Sequence, residues 1–409
     1  MLFTPLPLPN GVIVPNRLAK AAMEETLADA GQLPGPRIVR LYQRWAEGGA
    51  GLLITGNVMV DRRALTGPGT IALEATTPLA PFKAWARAAR AQGAQVWMQI
   101  SHPGRQVMAN MGGLAWAPSA VALDLGKHSK MFAQPVAMSG ADISDVIERF
   151  AATAHAAEKA GFTGVQIHAA HGYLLSQFLS PLTNRRDDAW GGDLAHRARL
   201  LLEVVRAVRA RVAPVFCVSV KLNSADFQRG GFSEDDARQV LAMLNAEQVD
   251  LVELSGGSYE SPAMQGQTAD GRTLAREAYF LEFARDLVQV ARMPLMTTGG
   301  IARRAIAEQV LESGVAIVGI GTALAAAPDL PREWEAGREP IAAMPAVNWK
   351  DKALVSLARM ALVRRRLHAL ASGAEKLTAY SPVFTLMLDQ LRGARLTRRY
   401  RAWLRMVAM

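Results

Sequence analysis

The sequence contains a single cysteine among 409 residues. One cysteine cannot build a disulfide framework, a cysteine-rich zinc site or an iron–sulfur cluster held by the chain's own thiolates. Cys217 lies inside the apolar run Val-Phe-Cys-Val-Ser-Val, which starts at Val215. We therefore predict that Cys217 is an unreactive residue buried in a strand.

Long apolar runs are also missing. The longest candidate for a membrane span, residues 315–327, is too short and is interrupted by Gly319 and Gly321. The first eleven residues contain prolines and lack the basic and continuous apolar segments of a signal peptide. A cytoplasmic location is therefore expected.

Positive charge is unevenly distributed along the chain. The formal net charge is +10, and residues 350–409 contain 13 Lys or Arg but only 3 Asp or Glu. The preceding 349 residues contain 33 of each sign and carry no net charge. The basic character therefore belongs to the C-terminal segment and carries no information about the rest of the chain.

Eight short apolar stretches alternate with helical patterns. Eight βα units in one chain predict an α/β fold, a closed parallel (β/α)8 TIM barrel over residues 1–340, followed by a basic helical extension over residues 341–409. No Gly-x-Gly-x-x-Gly follows the first stretch, which argues against an open dinucleotide-binding sheet. The predicted strands cover residues 17–23, 51–54, 95–100, a stretch opening at 163, 215–222, 249–253, 294–298 and 315–319.

The fourth strand ends in an unusual polar group. His168, His171 and Tyr173 follow Val165 and Ile167 directly, at the strand end where barrel enzymes carry their chemistry. A histidine at a strand end is often only a hydrogen-bonded structural group. A metal site is a second alternative, but it needs a third ligand, for which Asp187 is the near candidate. We favour recognition of an organic anion or carbonyl.

Other strand ends carry residues suited to a polar ligand. Gln99 offers an amide that donates and accepts, and Lys221 ends the fifth strand. Alone, they would be an interior hydrogen-bonding group and a solvated cation. Glycine-rich turns follow strands seven and eight, where barrels commonly bind phosphate. Together these residues predict a pocket for a flat polar heterocycle with a phosphate tail. The turn residues are Gly299, Gly300, Gly321 and Thr322.

Several motifs together resemble the old yellow enzyme family of flavin-dependent ene-reductases. They are His168-Ala-Ala-His171-Gly-Tyr173, Leu-Ser-Gln-Phe-Leu-Ser-Pro from Leu175, Asn184-Arg185-x-Asp187 and Trp190-Gly191-Gly192. The likeness extends over about residues 4–334. It implies an FMN-binding barrel that takes hydride from NADH or NADPH. The implied substrate is a small activated alkene, such as an enone, enal or nitroalkene.

The resemblance also implies roles for individual residues. His168 and His171 would bind the carbonyl or nitro oxygen of the alkene, and Tyr173 would protonate its α-carbon after hydride reaches the β-carbon. Gln99 would bind the pyrimidine edge of the flavin, with Lys221 near its N1 and C2 carbonyl. The remaining cofactor contacts implied are Ala22, Met23 and Gly56 at the ring, and Gly299, Gly300, Gly321 and Thr322 at the phosphate.

Two positions depart from the family pattern. Glu24 stands where the family often has Thr or Cys, and a carboxylate there would oppose the anionic reduced flavin. We therefore expect Glu24 to be turned away, protonated or paired. Thr322 stands where many members have an arginine for the phosphate, so backbone N–H groups, the Thr322 hydroxyl or Arg303 would have to compensate.

The basic extension contains three helical patterns, at residues 353–371, 381–391 and 396–407. One interpretation is an amphipathic arm on anionic lipid or nucleic acid. We favour helices that pack on the barrel or on a second subunit, with solvated arginines. A nucleic-acid partner is not expected, membrane contact is not favoured, and a homo-oligomer is compatible with this interpretation.

Two other functions share the predicted fold. One is an NAD(P)H:quinone or oxygen oxidoreductase, and the other is a barrel that binds flavin or another phosphate ligand without turnover. The His and Tyr residues disfavour the second, since binding alone needs no proton donor. The sequence does not predict the natural alkene, the choice of NADH or NADPH, the stereochemistry or the subunit number.

Overall fold

The predicted barrel is confirmed. A computed structural model describes residues 1–262, 278, 280–340, 342–374 and 380–407. Eight parallel strands form its wall, each followed by helical or loop segments. In chain order, the barrel strands are Leu18–Lys20, Leu52–Ile54, Gln95–Ser101, Gly164–Ala169, Cys217–Asn223, Leu251–Ser255, Leu295–Thr297 and Ile317–Ile320.

The strands close on themselves in sequence order. Each strand pairs with the next along the chain, and the eighth pairs with the first through Ile320 and Lys20. The strands are buried on both faces, so they appear in the sequence as apolar runs rather than as alternating patterns. The observed strands begin or end within a few residues of the predicted bounds.

The helices surround the barrel and continue into the extension. Two of them begin with the Ser-x-x-Asp capping box, in which the serine side chain and the aspartate bond reciprocally, at Ser139 and at Ser233. The helices are α1 Pro36–Glu47, α2 Ala80–Arg90, α3 Gly140–Lys159, α4 Leu174–Leu179, α5 Leu194–Arg211, α6 Glu234–Leu244, α7 Leu281–Val288, α8 Arg304–Glu312, α9 Thr322–Ala326, α10 Leu330–Glu335, α11 Lys352–Ala371 and α12 Pro382–Val407.

The inside of the barrel is apolar at its N-terminal end. The antiparallel pair Leu6–Pro7 and Ile13–Val14 packs there against Trp97, Cys217 and Met296. Cys217 is buried, as predicted, and burial raises the pKa of its thiol to about 12. The thiol is therefore protonated and unreactive at neutral pH.

Three helix predictions need correction. The sequence predicts a structured loop after the fourth strand, but that segment contains α4. It also predicts one last barrel helix from Ala323 to about Trp334, where the structure has two helices, α9 and α10. The two helices predicted over residues 381–391 and 396–407 are one continuous helix, α12. The helix predicted over residues 274–291 is described only as α7, because residues 274–277 and 279 lie outside the described part of the chain.

The extension packs on the barrel. Helix α11 lies against α1 and α9, and α12 lies against α11. Several of its arginines are not solvated, which corrects that part of the prediction. Arg366 is 1% exposed and donates to the Ala325 carbonyl. Among the helices that the structure describes, none is long and apolar enough to cross a membrane.

Candidate active site

The chain turns sharply after the fourth strand. His171 and Gly172 both adopt left-handed backbone angles, with φ of 62° and 72°. This conformation is costly for a histidine and is typical of functional sites. A Cβ at position 172 would also lie 3.0 Å from Gln106 Oε1 and from Ser258 Cβ, which disfavours any larger residue there. The turn brings the three predicted catalytic side chains together. The His168 ring centroid lies 5.0 Å from that of His171 and 4.8 Å from that of Tyr173.

The hydrogen bonds of the two imidazoles fix what they offer to a ligand. The Ala170 N–H donates to His168 Nδ1 at 3.2 Å, so the neutral ring carries its proton on Nε2. His171 Nε2 lies 2.7 Å from Ser255 Oγ. Burial, followed by repulsion from Lys221, holds the pKa of both imidazoles well below the usual range. Both rings are therefore neutral at physiological pH, and His168 presents one N–H donor.

Tyr173 has a second phenol beside it that the sequence did not predict. The two hydroxyls of Tyr173 and Tyr259 lie 3.1 Å apart. Burial raises the pKa of Tyr173 well above its ordinary value, and the neighbouring Tyr259 and Glu24 raise it further. Burial likewise raises the pKa of Tyr259 to about 12. Both phenols are thus held protonated. Tyr259 sits in the loop after the sixth strand, and no pattern around it indicated a role.

A layer of buried polar side chains crosses the barrel below the histidines. Gln99 Nε2 donates to Gln166 Oε1 at 2.7 Å, and Gln166 Nε2 donates to Glu253 Oε2 at 2.8 Å. Lys221 Nζ donates to the other oxygen, Glu253 Oε1, at 2.7 Å. The structure therefore brings the predicted residues Gln99 and Lys221 into one network. Because Glu253 neutralises it, the Lys221 cation is not free at this site.

Sequence reasoning missed Gln166 and Glu253. One signal was available for Gln166, because it precedes His168 by two residues and so shares its face of the strand. Glu253 is paired in register with Lys221 on the adjacent strand. That pairing could be expected only once the strand order and register were known.

Glu24 is paired, which is one of the three states expected for it. The Thr66 hydroxyl donates to Glu24 Oε1 at 2.7 Å, and the Thr70 hydroxyl lies 3.5 Å from the same oxygen. The carboxylate is half-buried and acts electrostatically on both Tyr173 and Tyr259. The loops after the first, second, fourth and sixth strands therefore meet around one mouth.

Gly56 allows the loops after the first and second strands to approach each other. A Cβ at position 56 would lie 2.3 Å from the Met23 carbonyl oxygen and 2.1 Å from Glu25 Oε2. Its N–H donates to Tyr42 Oη and Glu25 Oε1 at 3.1 and 3.2 Å. Ala22 and Met23 are half-buried at the end of the first strand. These three predicted contacts thus lie on adjoining backbone segments.

The glycine-rich turns after strands seven and eight lie at the same end of the barrel. Gly299 and Gly300 have φ of 124° and 70°, which favours glycine at both positions. Gly321 precedes α9, which begins at Thr322, and a Cβ built on Gly321 would meet only Met23 Cγ at 4.0 Å. Apart from Met23 and the residues next to Gly321, no side chain or backbone atom of the described residues therefore lies within 4 Å of this Cβ position. Arg303, suggested as a compensating cation, is the N-cap residue of α8.

These residues fit FMN. An amide on the third strand and an ammonium group on the fifth, joined through Gln166 and Glu253, suit the carbonyl and nitrogen acceptors of a flavin pyrimidine edge. Glycine turns, whose backbone N–H groups can approach an anion closely, suit a phosphate. The group of residues thus has the chemistry to hold a flat heterocycle at one end and an anion at the other.

The metal alternative is not supported by the position of Asp187. That residue is exposed in the loop before α5, whereas His168 is buried in the barrel. Within residues 1–262 and the later described segments, no three His, Cys, Asp or Glu residues are grouped to hold a metal ion. The neighbouring motif residue Asn184 is structural, because its amide donates to the carbonyls of Phe178 and Trp190 at 2.8 Å.

Comparison with known proteins shows that the sequence matches a family model over most of its length. Residues 1–340 match the model of the NADH:flavin oxidoreductase / NADH oxidase family. The NADH-dependent flavin oxidoreductase iliE of Hypocrea jecorina (strain QM6a) is 37% identical over 350 residues, which cover 80% of this chain and 87% of that protein. The NADH oxidase of Thermoanaerobacter brockii is 31% identical over 334 residues, or 81% of this chain and 50% of that protein.

Two solved structures superimpose on most of this chain. The old yellow enzyme homologue of Zymomonas mobilis superimposes with a TM-score of 0.72 at 25% identity, over 87% of this chain and 98% of that chain. Morphinone reductase in complex with tetrahydroNAD superimposes with a TM-score of 0.69 at 25% identity, over 86% of this chain and 93% of that chain.

Proposed function

Because the chain belongs to the NADH:flavin oxidoreductase / NADH oxidase family and is an FMN-dependent oxidoreductase of the old yellow enzyme type, we propose that its acceptor is an activated alkene. Enones, enals and nitroalkenes are the substrate class. The observation that supports this choice is the grouping of two neutral imidazoles with a protonated phenol at one strand end. FMN, when bound, supplies the hydride transfer between the nicotinamide and the alkene.

The imidazoles bind and polarise the acceptor oxygen. As hydride reaches the β-carbon, negative charge develops on the carbonyl or nitro oxygen, and the His168 N–H stabilises it. His171 is the second group at that oxygen, held by Ser255 and by the Asn223 side chain, which accepts from its backbone N–H. A neutral donor suits this task, because it binds the developing charge without holding the ground-state substrate too tightly.

Tyr173 delivers the proton to the α-carbon. Its phenol is protonated throughout the physiological pH range because burial raises its pKa. The hydroxyl of Tyr259 lies within hydrogen-bonding distance and donates to the Tyr173 phenolate that remains, until a proton from solvent restores the Tyr173 phenol. General-acid catalysis of this kind contributes a rate factor of about 10² to 10⁴.

The cofactor is held by the barrel residues. Gln99 and Lys221 would bind the pyrimidine edge of the flavin, and the backbone at Ala22, Met23 and Gly56 would contact the ring. The glycine turns after strands seven and eight would hold the phosphate. Their residues are Gly299, Gly300, Gly321 and Thr322. Residues 1–340 form the catalytic unit in this proposal, and residues 341–409 form an added unit beyond the family match.

The proposal is tested by separating the two half-reactions. Tyr173→Phe keeps the ring but loses the proton. In stopped-flow measurements, flavin reduction by NADH or NADPH should keep its wild-type rate, whereas oxidation by cyclohexenone or maleimide should slow by about 10² to 10⁴. Equal slowing of both half-reactions would remove Tyr173 from the role of proton donor.

The same experiment separates the alternatives. Wild-type protein that oxidises NADH with quinone or oxygen, but never with an alkene, would be a quinone or oxygen oxidoreductase. Bound flavin that neither NADH nor NADPH reduces would indicate a binding protein.

A further inference from the structure

The helical extension reaches the loop that follows the first barrel strand. His368 on α11 places Nε2 2.8 Å from the Glu25 carbonyl oxygen. Arg392 on α12 donates from Nη2 to the Thr26 carbonyl oxygen at 2.9 Å and from Nη1 to His368 Nδ1 at 2.7 Å. Two helices from outside the family match therefore bind the backbone of two consecutive residues in this loop.

The direction of each hydrogen bond is fixed by chemistry. A guanidinium group only donates, so His368 Nδ1 must accept from Arg392. The neutral ring then carries its proton on Nε2 and donates it to the Glu25 carbonyl. Arg392 and His368 thus form one connected pair of donors, and loss of either leaves a loop carbonyl without a partner from the extension.

The bound loop has a strained backbone. Thr26 is β-branched and has φ of 51°, a left-handed conformation that such residues rarely adopt. Strained residues persist where surrounding contacts over-determine them. The carbonyl that Arg392 binds belongs to this residue, so the extension acts at the point where the loop is least stable by itself.

The extension also contacts the loop after the second strand. The Tyr400 hydroxyl donates to the Arg62 carbonyl at 2.9 Å. Leu396 Cδ1 lies 3.0 Å from the position that a Cβ on Gly69 would occupy. These two loops carry Glu24 and Thr66, whose side chains meet at 2.7 Å beside the two tyrosines. The extension therefore contacts the backbone of both loops whose side chains, Glu24 and Thr66, form this hydrogen bond.

We propose that His368 and Arg392 are positioning residues that hold Glu24 at the barrel mouth. The extension is then part of the active site rather than an appended unit. The catalytic consequence of this arrangement rests on the proposed function, whereas the ordering of the loop does not. The fold should survive loss of the pair, because α11 also packs on α1 and Arg366 donates to the Ala325 carbonyl.

Hydrogen exchange of the purified holoenzyme tests the ordering directly. His368→Ala and Arg392→Gln should raise exchange of the amides at residues 24–28 about fivefold or more, as expected for loss of one partly buried hydrogen bond. His368→Gln keeps a donor and an acceptor and should restore protection. Arg398→Gln is the matched control, since Arg398 is an exposed arginine of the same helix. Unchanged exchange at residues 24–28 in both loss variants would overturn the proposal.

A double-mutant cycle tests whether the pair acts through Glu24. The KM for cyclohexenone, its kcat and the midpoint potential of bound FMN are measured in Arg392→Gln, Glu24→Gln and the double variant. The effect of Arg392→Gln should shrink at least threefold in the Glu24→Gln background. Fully additive effects would overturn the link to Glu24.

If His368→Ala does not fold, the same exchange and kinetic measurements are made with Arg392→Gln and Arg392→Lys instead. Absence of alkene turnover in the wild type would refute the proposed function but leave the exchange result unaffected.

Discussion

Lys221 Nζ lies 2.7 Å from Glu253 Oε1 inside the barrel, where neither side chain is more than 6% exposed. The pair joins neighbouring strands at positions that are directly in register. Because the carboxylate offsets the ammonium charge, Lys221 attracts a developing anion less strongly than an unpaired lysine would. The pair therefore weakens the positive electrostatic potential that Lys221 would exert at the proposed position of the flavin.

Removing that carboxylate should make the bound flavin easier to reduce. Glu253→Gln keeps an acceptor for Lys221 but removes the negative charge, so the midpoint potential should rise by on the order of 30 mV, or ~1.4 kcal/mol for two electrons. A reductive titration against a reference dye measures it. Glu247→Gln, which breaks an exposed pair with Arg206 before the start of the sixth strand, is the control and should leave the potential unchanged. A fall in potential on Glu253→Gln would contradict this account.

His168 should contribute directly to the binding of anionic ligands. Phenols that bind as phenolates over a flavin report on this through a charge-transfer absorption band. Loss of a hydrogen bond to a charged group costs about 1.5–3 kcal/mol, so His168→Leu should weaken phenol binding by roughly tenfold or more. His168→Asn keeps an N–H donor and should retain part of the affinity. An unchanged charge-transfer titration in His168→Leu would place the ligand elsewhere.

Tyr259 should act only through Tyr173. Tyr259→Phe removes the hydroxyl 3.1 Å from the Tyr173 hydroxyl and should slow alkene reduction about fivefold, the value of one hydrogen bond. In the Tyr173→Phe background the same change should have no further effect on the rate. Tyr380→Phe, on the extension, is the control. A further loss in the double variant would mean that Tyr259 protonates the substrate by itself.

The strands and the grouping of His168, His171 and Tyr173 at one strand end could be predicted from local sequence. Each barrel strand is buried on both faces, so it stands out as an apolar run between helical patterns. Because the strands are parallel, their C-terminal ends must meet at one rim of the barrel. This predicts that His168, Gln99 and Lys221 lie at the same rim. Lys221 and Gln99 lie in one hydrogen-bonded network, as expected, but Gln166 and Glu253 connect them.

Cross-strand pairing and tertiary packing could not be read from local patterns. Glu253 reaches Lys221 only because the fifth and sixth strands pair in one register. Helix α12 was predicted as two helices, and it contains Gly393, a residue type that disfavours a helix interior, near its middle. Contacts made on both sides of it, by Arg392 with Thr26 and by Tyr400 with Arg62, hold the helix continuous.

The last prediction concerns stability in acid. Burial, followed by repulsion from Arg392, lowers the pKa of His368 to about 3, and Arg37 and Arg364 also oppose its protonation, whereas the Glu25 carbonyl favours it. The unfolded chain protonates the same imidazole near pH 6.5. Between these values the unfolded state binds more protons, so the contribution of His368 is complete above pH 6.5 and is lost as the pH falls.

The variant His368→Gln keeps the hydrogen bonds but removes this titration. Each pH unit below 6.5 should cost the wild type up to about 1.4 kcal/mol of unfolding free energy that the variant does not lose, or about 2 kcal/mol at pH 5. Urea denaturation at pH 7.5 and pH 5, followed by fluorescence, measures the difference between the two proteins. Protonation of the buried residues His168 and His171 also lowers the free energy of unfolding in acid. Both proteins contain these residues, so their contribution cancels in the comparison. Equal loss of stability in both would show that His368 is free to protonate in the folded protein, and that burial and Arg392 do not hold it neutral.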